Sequence, residues 1–442
     1  MHRYRTHTCG DLRADHAGQT CRLSGWVFRK RDHGSLLFID LRDHYGATQV
    51  VIQPDRDFFD FCQRLKLETV ITVTGRVDAR SEETINPEIA TGKVELVANE
   101  VSIEGPVDEN LPLYLAGDEE GPEDLRLRYR FLDLRRPRLQ RNLLLRSDVI
   151  ADIRRRMPAH GFHEFQTPIL TSSSPEGARD YLVPSRVHPG KFYALPQAPQ
   201  IFKQLLMISG FDRYFQIAPC FRDEDARADR SPGEFYQLDM EMSFATQEDV
   251  FEVIEDVLHG VFSTFSEAGV DPKPFRRIPY AEAMLKYGSD KPDLRIPLEI
   301  QDVSDLFRES KFNVFRKVVE KGGVVRALPV PEIADKPRSF FDKLVEYAQS
   351  IGAKGLAYIV WQDGAAKGPV AKVLGEQEVA AVAERCAVKD GDAVFFVSDA
   401  APKAAAIAGD IRLKLGRDLD RVEKDVFRFC WIVDFPMFER DE

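Results

Sequence analysis

Alternating apolar and polar positions along residues 1–105 predict a small all-β unit. Side chains of a half-buried strand alternate between core and solvent, and turn signals such as His33-Gly34 separate the runs. One helical segment, about Asp55–Lys66, falls between the third and fourth strands. This order is that of an oligonucleotide/oligosaccharide-binding (OB) barrel, although SH3-like barrels and small sandwiches also consist of short strands. The predicted strands are Cys21–Phe28, Leu36–Leu41, Thr48–Gln53, Glu68–Val77 and Lys93–Ile103.

A long amphipathic helix is predicted after this unit. Residues from about Gly105 to Glu123 are rich in Pro, Gly and acidic residues, as is typical of a linker. The segment Leu125–Arg141 is strongly basic, and the helix that follows it ends near Gly161. A solvated face beside a core stripe is the ordinary explanation, and a subunit interface is the less common alternative. The apolar positions on one helix face are Leu143, Ile150, Ile153 and Met157.

Short strands alternate with helices between residues 291 and 415, which is typical of a compact α/β unit. This unit interrupts a pattern that includes the helix Glu248–Phe265 and that resumes at Phe427–Phe438, so we predict an inserted domain. Its strands are Val324–Leu328, Leu356–Val360 and Ala393–Val397, and its helices are Arg338–Ile351, Gln377–Cys386 and Pro402–Leu415.

The segment Tyr214–Met242 predicts two strands joined by a charged loop. Alternate residues of a strand face opposite sides, so one side of the second strand is apolar and the other carries an amide and two carboxylates. Such a strand forms the floor of a polar cavity, although an amphipathic surface hairpin would show the same pattern. Arg222, at the end of the first strand, is suited to bidentate capture of phosphate or carboxylate. The polar side holds Phe235, Gln237, Asp239 and Glu241, and the apolar side holds Tyr236, Leu238, Met240 and Met242.

Two further segments carry polar residues that suit a binding pocket. In Gln197–Lys203 a proline precedes a helix start, so Gln200 and Lys203 lie on one face of the first turn. Thr171–Ala178 is rich in Ser, Pro and Gly, which is typical of a mobile loop, and it carries the carboxylate of Glu176. Taken alone, each segment is more simply an N-terminal helical turn or a surface loop.

Composition and charge narrow the class of protein. The 442 residues are 43% apolar and 30% charged, which indicates several domains, and they include neither a membrane-spanning apolar run nor an N-terminal signal peptide. The six cysteines have no metal-binding spacing, so they indicate reduced thiols of a cytoplasmic protein and no zinc site. The net charge is −11, and residues 1–105 are also slightly acidic, so any nucleic-acid role must depend on local placement of charge.

The motifs and their order resemble a known family. A barrel, a linker, a helix and a strand ending in Thr-Pro precede S-P-E-G-A-R-D-Y, P-Q-A-P-Q-I-F-K-Q, F-R-D-E-D and E-F-Y-Q-L-D-M-E. Over essentially its whole length the chain resembles a class II aminoacyl-tRNA synthetase of the aspartyl type, in its bacterial form. A lysyl- or asparaginyl-type relative is the weaker alternative, because the position of Lys203 with Asp239 and the inserted domain favour the aspartyl type.

The resemblance implies a multidomain α+β fold. Its units are a five-stranded OB-type β-barrel that binds the anticodon, a class II catalytic domain built on an antiparallel sheet, and the small inserted α/β domain. The boundaries predicted from the sequence are 1–105 for the barrel, 106–140 for a hinge, 141–290 and 416–442 for an incomplete catalytic domain, and 291–415 for the insertion.

The activity implied by the resemblance is aspartate–tRNA ligation. ATP and L-aspartate would form aspartyl-adenylate, and the aspartyl group would pass to the 3′ end of tRNA-Asp. Arg222 would bridge the α-phosphate and the attacking carboxylate, which supplies positioning and charge stabilisation. Phe235 would stack on adenine. The residues expected to contact ATP are Arg222, Asp223, Glu224, Phe235 and Gln237.

For the amino acid, the resemblance implies that Lys203 binds the side-chain carboxylate and that Asp239 orients Lys203. Gln200 and Glu176 would hold the ammonium group, and Arg222 completes the aspartate-binding set. Asparagine would leave the lysine facing an uncharged amide, so we expect rejection of roughly 10⁴-fold without an editing domain. Mg²⁺ is expected to accompany ATP, but no metal ligand is predicted within this chain.

In the barrel, the resemblance implies that unstacked anticodon bases bind on the sheet. Phe38 matches a stacking position and Gln49 a base-edge contact, with Arg31 beside them. Without the resemblance, the sequence is equally consistent with Phe38 as a core residue and as a base-stacking residue. His33 lies in the loop R-K-R-D-H-G. Family members with histidine here often accept both tRNA-Asp and tRNA-Asn, which differ at the last anticodon base, and we predict such a relaxed enzyme.

The resemblance further implies a homodimer, formed through the helix Arg141–Met157 and the strand ending at Thr167-Pro168. The sequence ends at W-I-V-D-F-P-M-F-E-R-D-E, where the family continues with magnesium ligands and a glycine-rich third motif. We therefore expect a fragment or truncated product whose activity requires that segment. The alternative is a tRNA-binding module or an inactive paralogue that uses the barrel alone.

Overall fold

The computed structural model describes residues 2–107, 111–115, 117, 119–173, 177–224 and 232–438. The chain folds into two compact units, Met1–Asp148 and Val149–Glu442. Each strand and helix predicted for the barrel and for the insertion is present, with its ends shifted by a few residues. No helix among the described residues is both long enough and apolar enough to cross a membrane.

The first unit contains a closed five-stranded barrel. Its elements are β1 (Thr20–Asp32), β2 (Leu37–Arg42), β3 (Ala47–Ile52), α1 (Phe59–Gln63), β4 (Val70–Ala79) and β5 (Val94–Gly105). The strands close in the order β1-β2-β3-β5-β4, and all neighbours are antiparallel except β3 and β5. Inward-facing apolar residues from every strand form one core. The prediction of an OB-type barrel is confirmed.

Helix α1 is shorter than the predicted Asp55–Lys66. Residues 55–58 form a turn, since the amide of Phe59 bonds to the carbonyl of Arg56 at 2.9 Å, and the helix ends at Gln63. Strand β1 is longer than predicted and bends at a bulge before Arg29. Beyond the bulge the strand remains paired with β2 as far as Asp32, which lies opposite Leu37.

The basic stretch before the long helix surrounds one fully buried carboxylate, Asp133. The helices here are α2 (Glu123–Arg128), α3 (Arg130–Asp133) and α4 (Pro137–Ala159). The carboxylate oxygens lie 2.6 Å from Arg130, 3.0 Å from Arg136 and 3.4 Å from Arg126. An ion that is unpaired and out of water costs several kcal/mol, so this pairing is required. Part of the predicted solvated basic face is therefore structural.

The second unit begins with a sheet in the order β10-β9-β6, in which β9 and β10 are antiparallel and β6 and β9 are parallel. The elements in chain order are β6 (His163–Glu164), β7 (Leu182–Pro184), β8 (Phe192–Ala194), α5 (Gln200–Ile208), β9 (Arg213–Phe221), β10 (Glu234–Met242) and α6 (Gln247–Phe265). One side of β10 packs against α6 and the buried Met157 of α4. Leu143, which was predicted to share a helix face with Met157, is instead 48% exposed.

The inserted segment forms a sheet with helices on both faces. The remaining elements are β11 (Gly269–Val270), β12 (Arg276–Pro279), α7 (Tyr280–Lys286), β13 (Gln301–Asp302), α8 (Asn313–Glu320), β14 (Val324–Val330), α9 (Arg338–Ser350), β15 (Ala357–Gln362), β16 (Ala365–Lys367), α10 (Glu376–Arg385), β17 (Ala393–Asp399), α11 (Ala401–Asp418), β18 (Val426–Phe427) and β19 (Cys430–Val433). The sheet order is β13-β14-β17-β15-β16. Helices α9 and α11 cover one face, and α8 and α10 cover the other. Central strands buried on both faces need apolar residues throughout, which explains their continuous apolar runs.

The strands that precede and follow this segment lie side by side. Strand β12 pairs in parallel with β19, and β11 pairs in parallel with β18. A chain that leaves after β12 and returns at β18 is the arrangement that an insertion requires. The domain boundaries drawn from the sequence stay predictions.

Arg412 of α11 fastens the last helix of the inserted segment to the first residues of that segment. Its side chain is almost fully buried and donates to the carbonyl oxygens of Leu298 at 2.6 Å, Ile296 at 2.7 Å and Asp293 at 2.8 Å. The guanidinium carbon also lies 4.9 Å from the centre of the Tyr287 ring. A buried cation is tolerated here because carbonyl oxygens replace its water.

We predict that Arg412→Ala destabilises the protein strongly. Each carbonyl that loses its donor costs about 1–3 kcal/mol, so the free energy of unfolding should fall by roughly 3 kcal/mol or more. Arg338→Ala is the matched control, since that side chain is 89% exposed and its ion pair with Asp342 spans 3.6 Å; we expect a change below about 0.5 kcal/mol. Urea unfolding followed by circular dichroism measures both, and equal midpoints would contradict the role given to Arg412.

Candidate functional site

The polar side of the β9–β10 hairpin is continuous over both strands. In the antiparallel register Asp239 lies opposite Gln216, and Glu241 lies opposite Tyr214. Directly opposed residues point to the same side of a sheet, so the two strands share one polar face. Leu238, Met240 and Met242 pack in the core on the other side, as predicted, while Tyr236 is half exposed. The polar face consists of Tyr214, Gln216, Ala218, Cys220, Phe235, Gln237, Asp239 and Glu241.

Lys203 of α5 lies over this face between two carboxylates. Its Nζ is 2.9 Å from Oδ1 of Asp239 and 2.8 Å from Oε1 of Glu241. Lys203 and Asp239 are buried, whereas the Glu241 side chain is 37% exposed. Burial by itself lowers the pKa of Lys203, but the hydrogen bonds to Glu241 and Asp239 outweigh burial and raise the pKa above its ordinary value. The lysine is therefore a fixed positive charge.

A hydrogen-bonded layer formed by Tyr214, Gln216 and Thr167 lies beside this cluster. The Tyr214 hydroxyl donates to Gln216 Oε1 at 2.9 Å, and Thr167 Oγ1 donates to the same oxygen at 3.0 Å. Burial, and then the charges of Asp239 and Glu241, raise the pKa of Tyr214, so its hydroxyl remains a donor. The second oxygen of Asp239, Oδ2, is buried without a hydrogen-bond partner among the described residues. Asp239 also raises the pKa of Tyr214 through a side-chain hydrogen bond, so the phenol lies beside this carboxylate.

Arg222 lies over Phe235 at the other end of the face. The guanidinium carbon is 4.9 Å from the ring centroid, which is a cation–π contact. Its Nε is buried and has no hydrogen-bond partner within the described chain. Between the two clusters, Gln237 Oε1 accepts a hydrogen bond from Cys220 Sγ at 3.2 Å. Arg222 therefore presents an unused donor next to an aromatic ring.

A small cavity lies between the start of α5 and the residues Thr171, Ser172 and Asp180. Gln197 is buried and donates to the Ala178 carbonyl at 2.9 Å and to Asp180 Oδ1 at 2.5 Å. Gln200, the first residue of α5, is half-buried in the wall of this cavity. Glu176, which was predicted to bind the substrate ammonium group, lies outside the described residues.

Asp223 and Glu224 are exposed beyond the end of β9. The backbone of Asp223 is fixed by Arg179, whose carbonyl accepts the Asp223 amide at 2.9 Å and whose Nε donates to the Asp223 carbonyl at 3.0 Å. Neither carboxylate forms a hydrogen bond or an ion pair with another described side chain. The structure therefore brings Lys203 to Asp239 and Arg222 to Phe235, and it leaves these two predicted ATP contacts at the rim.

Predicted residues of the barrel form a second cluster, on its outer face. Arg31 Nη2 donates to Asp40 Oδ1 at 2.9 Å and to Gln49 Oε1 at 3.1 Å. Gln49 Nε2 donates in turn to Glu95 Oε2 at 2.9 Å. Arg80 Nε lies 3.5 Å from the same Glu95 oxygen, and its Nη2 is buried without a partner among the described residues. This row of contacts crosses four strands and fixes the orientation of the Gln49 amide.

Phe38 lies on the outer face of β2 and not in the core. Its neighbours Leu37 and Ile39 are fully buried, and alternation directs Phe38 to the opposite side. The His33 ring meets Phe38 edge-on, with 5.4 Å between centroids and an interplanar angle of 87°. Arg31 pairs with Phe38 across the strands, so these side chains share one surface. The core alternative for Phe38 is wrong.

The sequence assigned no role to Glu241, Tyr214 or Glu95, although each touches a predicted site residue. The sequence could have predicted the role of Glu241, since a residue two positions after Asp239 in a strand faces the same side. Glu95 had no local signal, because the parallel pairing of β3 and β5 joins segments that are distant in sequence.

Within the described part of the chain, no group of three or more His, Cys, Asp or Glu side chains is arranged to hold a metal ion. No disulfide joins cysteines within the described residues, and burial raises the pKa of Cys62 and of Cys386 to about 12, so both thiols remain protonated at neutral pH.

The raised pKa of Lys203 predicts an unreactive amine. Only a neutral amine is acylated, so we expect acetic anhydride at pH 8 to modify Lys203 roughly tenfold more slowly than the exposed Lys191. In Asp239→Asn the loss of one carboxylate lowers the pKa of Lys203, and its labelling rate should rise several-fold while that of Lys191 stays the same. Peptide mass spectrometry measures both rates. Identical labelling of Lys203 in the two proteins would disprove the ion pair.

Comparisons with known proteins agree with this geometry. A family model described as tRNA synthetases class II (D, K and N) matches residues 122–441, and a model described as an OB-fold nucleic acid binding domain matches residues 21–104. An aspartate--tRNA(Asp/Asn) ligase of Wolbachia pipientis wMel is 58% identical over 455 residues, covering 100% of this chain and 76% of the relative. A protein of the same name from Ehrlichia canis (strain Jake) is 60% identical over 444 residues, covering 100% and 75%.

Solved structures show the same fold at much lower identity. A putative aspartyl-tRNA synthetase from Leishmania major Friedlin has a TM-score of 0.56 and 16% identity, and covers 94% of this chain and 92% of that chain. An asparaginyl-tRNA synthetase from Pyrococcus horikoshii, complexed with asparaginyl-adenylate, has a TM-score of 0.54 and 17% identity, covering 92% and 95%. With both domain models matched and relatives this similar along its whole length, the chain belongs to the class II tRNA synthetases of the D, K and N group.

Proposed function

We propose that the protein is an aspartate–tRNA ligase, which activates L-aspartate with ATP and transfers it to tRNA-Asp. The observation that carries this proposal is the buried Lys203, held by Asp239 and Glu241 on the sheet face that also carries Arg222 and Phe235. Relatives 58% and 60% identical to the chain carry the name aspartate--tRNA(Asp/Asn) ligase.

Lys203 supplies the charge that an aspartate side chain requires. A fixed ammonium binds a carboxylate through a charge-assisted hydrogen bond, whereas the neutral amide of asparagine would leave the buried charge poorly satisfied. Asp239 and Glu241 hold Lys203 in the free protein, and Asp239 keeps it oriented when the substrate binds. Gln200 and Glu176 complete the proposed amino-acid site on the ammonium side.

At the other end of the face, Arg222 and Phe235 receive ATP. The ring of Phe235 stacks on adenine, and the free donor of Arg222 binds the α-phosphate together with the attacking carboxylate. The Asp α-carboxylate oxygen forms a bond to the α-phosphorus as the bond to pyrophosphate breaks. A ribose hydroxyl at the tRNA 3′ end then attacks the carbonyl carbon, its proton is lost, and AMP leaves. Gln237, Asp223 and Glu224 are the further proposed ATP contacts, and Mg²⁺ accompanies ATP as a substrate-bound ion.

The outer face of the barrel reads the anticodon in this proposal. Phe38 offers an aromatic platform, and Arg31 and Gln49 offer polar edges that bases can pair with. His33 and the relatives' names support acceptance of tRNA-Asn as well as tRNA-Asp. We also propose a homodimer and, since charged tRNA is consumed in translation, a cytoplasmic location.

The aspartate site is tested by Lys203→Met in protein expressed from its intact gene. Aspartate-dependent exchange of pyrophosphate into ATP should show a KM for aspartate raised roughly 10–100-fold, because a charge-assisted hydrogen bond of about 1.5–3 kcal/mol is lost. The KM for ATP should change less than about twofold. Lys191→Met is the matched control, because that side chain is exposed on the β7–β8 hairpin.

Two outcomes would contradict the proposal. Pyrophosphate exchange that is equally fast with asparagine or lysine would show that the protein has the amino-acid specificity of another member of the group. A wild-type protein that binds tRNA and catalyses no exchange at saturating aspartate would favour the tRNA-binding alternative.

Acceptance of tRNA-Asn is tested separately with unmodified transcripts. We expect kcat/KM for aspartylation of tRNA-Asn to lie within about tenfold of the value for tRNA-Asp. An enzyme that accepts either base at the last anticodon position does not incur the penalty of about 1–3 kcal/mol that a mismatched base would otherwise cost. In His33→Ala the ratio of the two values should change while pyrophosphate exchange does not. A rate for tRNA-Asn far below that for tRNA-Asp would make the enzyme discriminating.

A further inference from the structure

The turn that carries His33 is fastened to helix α1. Asp32, the last residue of β1, accepts two hydrogen bonds, from the Gly34 amide to Oδ1 at 2.8 Å and from Gln63 Nε2 to Oδ2 at 2.8 Å. Gln63 is the last residue of α1. One carboxylate thus closes the turn with one oxygen and ties it to the helix with the other.

Lys30 makes a second tie to the same helix. Its Nζ lies 2.5 Å from the carbonyl oxygen of Gln63 and 2.7 Å from that of Leu65. The last carbonyls of a helix lack partners within it, and a cation satisfies them and interacts favourably with the helix dipole. Burial lowers the pKa of Lys30, which shows that the ammonium is partly withdrawn from water. Lys30 therefore clamps α1 and is not a free cation for RNA.

Within the turn, backbone bonds determine where the His33 ring lies. The His33 amide donates to the Leu36 carbonyl at 3.0 Å, and the Ser35 amide donates to the His33 carbonyl at 2.9 Å. Gly34 has φ +76°, a left-handed conformation that glycine adopts without strain. The ring itself contacts Phe38. Its position therefore follows the main chain, which Asp32 anchors.

We infer that Asp32 and Gln63 are positioning residues that set the selectivity of the barrel for the last anticodon base. Neither side chain has to touch RNA, because their bond determines where His33 meets the base. Closing the turn needs only the Gly34 bond, as in an ordinary Asx turn. The bond to Gln63 and the contacts of Lys30 are not needed to close the turn. They join the end of β1 to the end of α1, and Asp32 and Gln63 are 31 positions apart in sequence. The inference rests on the proposed anticodon-binding function of this face.

The test compares binding of two anticodon stem-loops that differ only in the last anticodon base, C for tRNA-Asp and U for tRNA-Asn. Gln63→Glu places a carboxylate against Asp32 and breaks the tie. We expect both affinities to fall and the ratio of the two Kd values to change by at least about threefold, since a misplacement near 1 Å is costly for a positioned group. Fluorescence anisotropy measures the Kd values.

A double variant provides the rescue. In Asp32→Asn/Gln63→Glu the amide of residue 32 donates to the new carboxylate, while its oxygen still accepts the Gly34 amide, so the tie is restored with reversed polarity. We expect the wild-type ratio to return. In a His33→Ala background, Gln63→Glu should leave the ratio unchanged, because effects that act through one residue are not additive.

Gln19→Glu is the charge-matched control. It adds the same negative charge immediately before β1, far along the strand from the turn, and should weaken both stem-loops equally. An equal change of both Kd values in Gln63→Glu, or a ratio that still shifts without His33, would overturn the inference and leave the proposed function intact. A wild-type protein that binds neither stem-loop would overturn the proposed anticodon function itself.

Discussion

The candidate site depends on the contact of Lys203 with Asp239 and Glu241. Both carboxylates point to the same side because they are two residues apart in one strand. A slip of one residue in the β9–β10 register would turn both carboxylates into the apolar core and expose Met240 and Met242. The packing of Leu238 and Met240 against α6 therefore holds the register on which the site is built.

The same requirement, that a charge removed from water must find a partner, recurs outside the site. Asp133 is buried among arginines, Arg412 donates to backbone carbonyls, and Arg42 pairs with the buried Glu68 at 2.6 Å. These charges hold the structure together and are not offered to a ligand. This is why neither the basic stretch before α4 nor the net charge of the chain indicates where nucleic acid binds. The placement of Arg31 beside Gln49 and Phe38 is the better indicator.

Where a segment is long and strongly periodic, the sequence predicted it closely. Helix α6 was predicted within one residue at each end, because its 19 residues keep a helical period over several turns. Strand β14 was predicted within two residues, because it is an apolar run that begins directly after two glycines. The two-residue strand β13 is too short to show any period, and α1 was overestimated because its flanking turn has a similar composition. Glu241, the partner of Lys203, and Glu95, the partner of Gln49, differ in how far the sequence could have predicted them. The first follows from strand alternation, while the second depends on a β3–β5 pairing that no local pattern encodes.

The charge balance around Lys203 constrains how an aspartate side chain enters. One lysine faces two carboxylates, so the cluster has an excess of negative charge before any substrate binds. A third carboxylate can approach Lys203 only if one of the two moves away. Asp239 is buried, and its side chain is fixed under α5, whereas the Glu241 side chain is 37% exposed and can turn to water at little cost. In the proposed reaction Glu241 is therefore the partner that gives way, and Asp239 remains to orient the lysine. Holding Lys203 with one fixed and one exchangeable carboxylate keeps the ammonium charged in the free protein and still leaves a place for the substrate.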